Sequence, residues 1–138
     1  MRRIDIRRAV EEDVEGALRL MGQLDLIHSA VAMRNLWVVM EEADVVGVAH
    51  LEHAGESLFL SSVGVRDSHR HMGLGRRLVE AMLKDAESDV YLYTVIPEFF
   101  DKLGFVETQP PAHIPPRDVF GCENCELGKC RCMVSRRG

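Results

Sequence analysis

The chain has 138 residues, of which 46% are hydrophobic and 28% are charged, and its formal net charge at pH 7 is −5. This length suits one globular domain with its own core, so we expect a single domain over residues 1–138, with a segment rich in proline and cysteine at residues 110–138. The acidic net charge argues against nucleic acid as a partner. No apolar run is long enough to span a membrane, and the charged N-terminus is unlike a signal peptide. Together these features favour a cytoplasmic protein.

The first half of the chain predicts two helices and four strands. Alternating apolar residues predict a strand over Ile4–Ala9, and helical spacing predicts a helix over Glu11–Leu24 with Val14, Leu18 and Met21 on one face. A second short helix and three strands follow in the order Asp25–Asn35, Leu36–Met40, Val45–His53 and Ser57–Arg66. The acidic sequence Glu41-Glu42-Ala43-Asp44 is predicted to join the first two of these strands.

A glycine-containing turn follows the last of these strands and opens a helix. The turn has the pattern Arg70-x-x-Gly73-x-Gly75, and the free backbone N–H groups at a helix start bind anionic groups, so this order is typical of a phosphate-binding site. A dinucleotide fingerprint would require a third glycine where Leu78 stands, and the nucleoside-triphosphate loop G-x-x-x-x-G-K-[ST] is absent from the sequence. An ordinary glycine turn is the alternative interpretation.

The residues after this turn support the first interpretation. Helical spacing predicts an amphipathic helix whose apolar face comprises Leu74, Leu78, Val79, Met82 and Leu83. A strand is predicted over Asp89–Val95, and Pro97 can open a helix in its first turn. The sequence Phe99-Phe100-Asp101-Lys102-Leu103-Gly104-Phe105 follows.

The two motifs, in this order, resemble those of the GCN5-related N-acetyltransferases, the GNAT family, over residues 4–109. The resemblance implies an α+β fold with three α/β/α layers and a mixed, mainly antiparallel sheet that has helices on both faces, in the order β-α-α-β-β-β-α-β-α-β. It also implies acetyl-CoA as cosubstrate and direct attack of an amine on the thioester, without a covalent enzyme intermediate.

The resemblance carries the cofactor contacts onto particular residues. Backbone groups at the end of one strand would pair with the pantetheine arm, namely those of Val63, Gly64 and Val65. The turn would hold the diphosphate through Arg70, His71, Met72, Gly73, Leu74, Gly75 and Arg76. Thr94 and Phe100 would lie beside the cofactor.

The catalytic groups are less well defined by the sequence. Many members of the family have a tyrosine where this chain has Phe100, so a water, Tyr91 or Tyr93 would have to protonate the leaving thiolate, or no acid is needed. His50 and Glu52 are two apart in a strand and therefore share a face, where Glu52 would accept the proton through a water with His50 nearby. A solvated strand end is the alternative.

Four cysteines, Cys122, Cys125, Cys130 and Cys132, have the spacing C-x2-C-x4-C-x-C. They can be interpreted as a closed structural zinc site, as metal-free thiols or as disulfides. The segment is also loosely similar to one in short amino-acid N-acetyltransferases of the N-acetylglutamate synthase type.

We therefore expect an N-acetyltransferase for a small amine, with an amino acid such as glutamate as the leading acceptor. Within the same resemblance, the alternatives are acetylation of a protein, a polyamine or a xenobiotic amine, and a non-catalytic sensor or subunit that binds acetyl-CoA. A homodimer is compatible with the family.

Overall fold

The computed structural model describes residues 3–24, 35–114 and 130–136. Its strands are β1 (Ile4–Arg8), β2 (Leu36–Glu41), β3 (Asp44–Ala54), β4 (Ser57–Val65), β5 (Val90–Thr94), β6 (Val106–Glu107) and β7 (Arg131–Ser135). Its α-helices are α1 (Val14–Gln23), α2 (Leu74–Asp85) and α3 (Pro97–Asp101), with short 3-10 helices at Glu11–Asp13 and Asp67–His69. Most of the second predicted helix, Asp25–Asn35, lies outside the described residues.

The seven strands form one sheet in the order β1-β2-β3-β4-β5-β7-β6. β4 and β5 are parallel and pair through Leu58 with Val90 and Phe59 with Tyr91, whereas β1–β2, β2–β3, β5–β7 and β6–β7 are antiparallel. This mixed sheet with its helices confirms the predicted fold class. β7 is an element that the predicted order did not contain.

The chain divides into two compact units. The first comprises Met1–Leu51 and Ser61–Asp85, and the second comprises Glu52–Leu60 and Ala86–Gly138. The predicted single domain over residues 1–138 stays a prediction. No helix among the described residues is long and apolar enough to cross a membrane.

The first unit has its core where α1 covers β2 and β3. Its buried side chains are Ala9, Ala17, Leu20, Met21, Leu36, Val38, Met40, Val45 and Val48. The predicted apolar face of α1 was wrong at Leu18, which is exposed, because the helix is rotated so that Ala17 and Leu20 point inward. The predicted face of α2 is confirmed at all five positions, and α2 packs against β1 and β2.

One β-bulge interrupts the pairing of β2 with β3. Val39 pairs with Gly47 and Met40 pairs with Val45, so Val46 has no partner residue on β2. A Cβ atom on Gly47 would lie 2.9 Å from Cγ2 of Val39, which explains the glycine here. The bulge leaves the carbonyl of Val46 available to accept a hydrogen bond from the backbone N–H of Arg66, at 2.8 Å.

An ion pair joins β1 to the beginning of α1. Asp13 is only 6% exposed, and its carboxylate accepts hydrogen bonds from Nη1 and Nη2 of Arg7, at 2.5 and 3.3 Å, and from the backbone N–H of Val10 at 2.8 Å. The hydrogen bond from Arg7 lowers the pKa of the Asp13 carboxyl, and the same contact raises the pKa of Arg7. A buried carboxylate with three donors is strongly held in its charged form.

The second unit has an aromatic core. Ala54, Phe59, Tyr91, Ile114, Cys132 and Val134 form one buried cluster. Around α3, Phe100 makes edge-to-face contacts with Phe99 and Phe105, at centroid distances of 4.9 and 5.5 Å. Pro97 is the first residue of α3, as predicted, and Gly104 ends this segment with φ +91° before β6.

We predict that Asp13→Asn lowers the free energy of unfolding by about 1–3 kcal/mol at pH 7, because it removes the charge from a hydrogen-bonded pair. Since the pKa of Asp13 is lowered by folding, its contribution is present above the unfolded value of about 4 and is lost as the pH falls through the folded value. Urea unfolding at pH 7 and at several pH values below 4 measures both effects. The control is Asp5→Asn, which removes an exposed carboxylate 3.4 Å from Nε of the same arginine. Equal losses in the two variants would contradict the assignment.

Candidate functional site

The segment between β4 and α2, residues 66–73, is the β4–α2 turn. It begins with Arg66, passes through the 3-10 helix Asp67–His69 and ends at Gly73. The first hydrogen bond of α2 runs from the N–H of Arg77 to the carbonyl of Gly73, at 3.1 Å. The N–H groups of Leu74, Gly75 and Arg76 therefore precede the hydrogen-bonded ladder and point out of the helix start, as an anion-binding site requires.

The backbone of this turn is left-handed at two positions. His71 has φ +66° and Gly73 has φ +75°. A Cβ atom added to Gly73 would meet no atom within 4 Å, so the protein leaves open space directly beside this residue. The glycine is required by the backbone conformation, and the open space beside it can receive a ligand group.

Arginines surround the turn, and acidic side chains hold two of them. Nη2 of Arg70 lies 3.0 Å from Oδ1 of Asp67, and Nε of Arg76 donates to Oε1 of Glu80 at 2.8 Å. Both guanidinium groups are more than half exposed. They can therefore turn toward an anionic ligand with little loss of burial, because exposed ion pairs of this kind contribute little to stability.

The strand before the turn contains the three residues predicted to pair with pantetheine. Val63, Gly64 and Val65 are the last residues of β4, and each is partly exposed. Phe59 is the last β4 residue with a recorded partner on β5, so β4 continues for six residues beyond this short ladder. The assignment of these residues to the cofactor stays a prediction.

His50 is almost fully buried, at 2% exposure, and hydrogen-bonds to Ser61 of β4. Oγ of Ser61 lies 2.9 Å from Nδ1 of His50 and donates its one proton to the carbonyl of His50 at 3.2 Å. Nδ1 and the carbonyl of His50 therefore both contact the same hydroxyl, which ties β3 to β4 at this position. The alternative interpretation, a solvated strand end, was wrong for His50 because its side chain packs in the interior, whereas Glu52 is partly exposed.

Thr94 and Phe100, in the second unit, have local structural roles. Oγ1 of Thr94 accepts the backbone N–H of Ile96 at 2.9 Å and so closes the turn after β5. Phe100 is 4% exposed within the aromatic contacts of α3. Of the two tyrosines, Tyr91 is buried against His113, and Tyr93 contacts Phe59 edge to face. A contact of these residues with the cofactor stays a prediction.

The cysteine segment is described only in part. Cys122 and Cys125 lie outside the described residues. Cys130 and Cys132 are buried at the start of β7, and Cys132 packs in the apolar cluster of the second unit. Within the described part of the chain, no group of three or more His, Cys, Asp or Glu side chains could hold a metal ion. The described residues therefore give no support to the zinc interpretation.

One contact near the turn was missed by sequence reasoning. Nε2 of His69 lies 3.0 Å from Oε2 of Glu41, at the end of β2. The two residues are 28 positions apart, and Glu41 was predicted to lie in the acidic turn that joins two strands. No spacing rule connects such residues, so only the path of the backbone reveals the pair.

Comparison with known proteins agrees with this geometry. The profile of the Acetyltransferase (GNAT) domain matches residues 32–107, just over half of the chain. Rv2747 from Mycobacterium tuberculosis, solved in complex with CoA and NLQ, has a TM-score of 0.75 and 20% identity over 97% of this chain and 99% of its own.

Two further solved structures have the same fold at lower identity. N-acetylglutamate synthase from Neisseria gonorrhoeae, complexed with coenzyme A and N-acetyl-glutamate, has a TM-score of 0.70 and 15% identity over 97% of this chain and 35% of its own. The ribosomal-protein-S18-alanine N-acetyltransferase from Escherichia coli has a TM-score of 0.67 and 14% identity over 99% and 97% of the two chains. The chain therefore belongs to the GNAT acetyltransferase family, and the predicted enzyme class, an acetyl-CoA-dependent N-acetyltransferase, is confirmed.

Proposed function

We propose that this protein acetylates the amine of a small amino acid, with glutamate as the leading acceptor, and that the β4–α2 turn binds the diphosphate of acetyl-CoA. The observation that carries the proposal is the combination of left-handed Gly73, the open space beside it and the helix N–H groups that follow it. The acceptor assignment is supported by the likeness to N-acetylglutamate synthase, which was solved with N-acetyl-glutamate.

The turn fits a diphosphate in both shape and charge. The N–H groups of Leu74, Gly75 and Arg76 would donate to phosphate oxygens, and the exposed guanidinium groups of Arg70 and Arg76 would add positive charge. The backbone of Val63–Val65 would pair with the amides of the pantetheine arm. Acetyl-CoA supplies the thioester that the acceptor amine attacks, and the enzyme supplies position and proton transfer.

Proton removal from the acceptor ammonium is assigned to β3. Glu52 lies two residues after His50 and so shares its face of the strand. Glu52 is the more exposed of the two and would accept the proton directly or through a water. His50 is the second ionisable residue on this face of β3, and its ring is held by the hydroxyl of Ser61.

A protein N-terminus is the second acceptor class. The likeness to the S18-alanine enzyme, which covers 99% of this chain, supports it. The two classes make different demands on the site, since an amino acid requires a partner for its carboxylate and a peptide does not. Direct assay of both acceptor classes separates them.

We predict that Gly73→Asp weakens CoA binding by about 100-fold, or about 2.8 kcal/mol. The substitution places a side chain and a negative charge in the open space and strains a backbone with φ +75°. Calorimetric titration with CoA gives the Kd. The matched control is Gly104→Asp, because Gly104 also has positive φ and open space around its Cβ position. Unchanged affinity in Gly73→Asp would overturn the assignment of the turn to the diphosphate.

We expect Glu52→Gln to lower kcat at pH 7 by about 100-fold, the usual contribution of a general base, with little change in KM for acetyl-CoA. Glu56→Gln, in the exposed turn between β3 and β4, is the control for loss of one negative charge. His50→Gln tests the neighbouring group in the same assay. An unchanged kcat in Glu52→Gln would exclude Glu52 as the base.

Release of CoA thiol from acetyl-CoA in the presence of single acceptors tests the proposed function itself. The panel contains glutamate, other amino acids, polyamines and peptides with free N-termini. We expect the fastest release with glutamate or a related amino acid. Fast release only with peptides would favour the protein acceptor, and CoA binding without release from any acceptor would indicate a sensor or subunit.

A further inference from the structure

His69 and Glu41 form a largely enclosed hydrogen-bonded pair beside the β4–α2 turn. The distance from Nε2 of His69 to Oε2 of Glu41 is 3.0 Å, and the side chains are 13% and 14% exposed. Both residues belong to the first unit, where Glu41 ends β2 and His69 ends the 3-10 helix of the turn. This exposure is low for charged side chains and far below that of Arg70 and Arg76.

The hydrogen-bond chemistry of the pair is well defined. A carboxylate can only accept, so Nε2 of His69 carries a proton and donates it to Glu41. Nδ1 of the same ring lies 2.7 Å from Oγ of Ser68, the preceding residue in the turn. Both ring nitrogens therefore have partners, which fixes the orientation of the ring and places the 3-10 helix against the end of β2.

A second set of contacts holds the start of the same turn. The backbone N–H of Arg66 donates to the carbonyl of Val46, at 2.8 Å, and Nη2 of Arg66 donates to the carbonyl of Val45, at 3.0 Å. These carbonyls belong to the β3 bulge. The turn is thus bonded to β3 at its first residue and to β2 at its fourth residue, His69.

The residues that follow His69 are the ones that need this support. His71 has a left-handed backbone although it has a Cβ atom, and Gly73 is left-handed two residues later. Such conformations cost free energy and persist only where the surrounding structure holds them. If the turn were free to relax, the ligand would have to order it on binding, and the affinity would fall accordingly.

We propose that Glu41 is a positioning residue for acetyl-CoA, which holds the β4–α2 turn in its binding conformation through His69. The inference rests on the proposed function only in that the turn must bind the diphosphate. Glu41 itself is not assigned a contact with the cofactor. Its side chain acts on the ligand through the imidazole and the backbone that follows it.

The test is a set of variants measured by calorimetric titration with CoA. Glu41→Ala should raise the Kd by about tenfold, the effect expected when a charged hydrogen bond that orders a binding loop is lost. His69→Ala should raise the Kd by the same factor. The Kd of the double variant should be no higher than that of either single variant, because each substitution removes the same hydrogen bond between Glu41 and His69. His69→Gln should restore most of the affinity, since its side-chain N–H can replace the Nε2 donor.

Two controls separate this role from general stability and from failure of the proposed site. Glu42→Ala removes the adjacent carboxylate of the same hairpin, which accepts only an exposed backbone N–H in the described structure, and should leave the Kd unchanged. The Tm without ligand should be within a few degrees of wild type in all variants, and Gly73→Asp should still weaken CoA binding by about 100-fold.

Three results would overturn the proposal. The first is a Kd in Glu41→Ala no higher than in Glu42→Ala. The second is additive losses in the double variant, and the third is no recovery in His69→Gln. If Gly73→Asp retains affinity, the assignment of the turn to the diphosphate has failed. If Gly73→Asp loses binding and Glu41→Ala does not, only the positioning role has failed.

Discussion

The backbone path between β4 and α2 is the constraint on which the rest of the candidate site depends. To present helix N–H groups to a ligand, the chain must leave the strand, reverse and begin a helix within a few residues, and it does so with two left-handed positions, His71 and Gly73. A left-handed backbone at these positions costs free energy and persists only where other residues hold it. Its support comes from backbone groups of the β3 bulge and from the carboxylate at the end of β2, which are far away in sequence.

The two units differ in the kind of side chain that packs in their interiors. In the first unit, aliphatic side chains of β2 and β3 pack against α1, and the charged pair of Arg7 and Asp13 joins β1 to the start of that helix. In the second unit, the contacts between rings around α3 and β5 dominate the interior. Aromatic edge-to-face packing constrains orientation more tightly than aliphatic packing does, which suits a short helix of five residues with few other contacts.

Features that depend on the local sequence, such as the buried face of α2 and the start of α3, were predicted correctly. The five buried positions of α2 follow from spacing and the beginning of α3 at Pro97 from the chemistry of one residue, and both are confirmed. The β4–α2 turn was identified from the sequence because its glycines and arginines lie within six residues of one another. β7 was missed because a short strand that begins between two cysteines has no clear alternation.

Features that depend on contacts distant in sequence were outside the reach of this reasoning. Nothing in the composition around Val46 indicates a bulge, and nothing indicates that Glu41 would be enclosed and paired with His69. The error at Leu18 has a similar origin, since the apolar residues of α1 allow two faces and the sheet selects one of them. The burial of His50 was missed because a histidine near a strand end usually lies in solvent.

The bulge in β3 also determines which side chains the strand presents on each face. Val45 and Val48 lie in the same core cluster although they are three residues apart, which regular alternation forbids, and the extra residue Val46 accounts for this change of parity. If Val46 paired with Val39 in a regular ladder, every later residue of β3 would shift by one. Ala49 and Leu51 would then occupy the face that His50 and Glu52 now occupy. A single unpaired residue thus decides whether His50 or Ala49 lies opposite Leu36 on this face of β3.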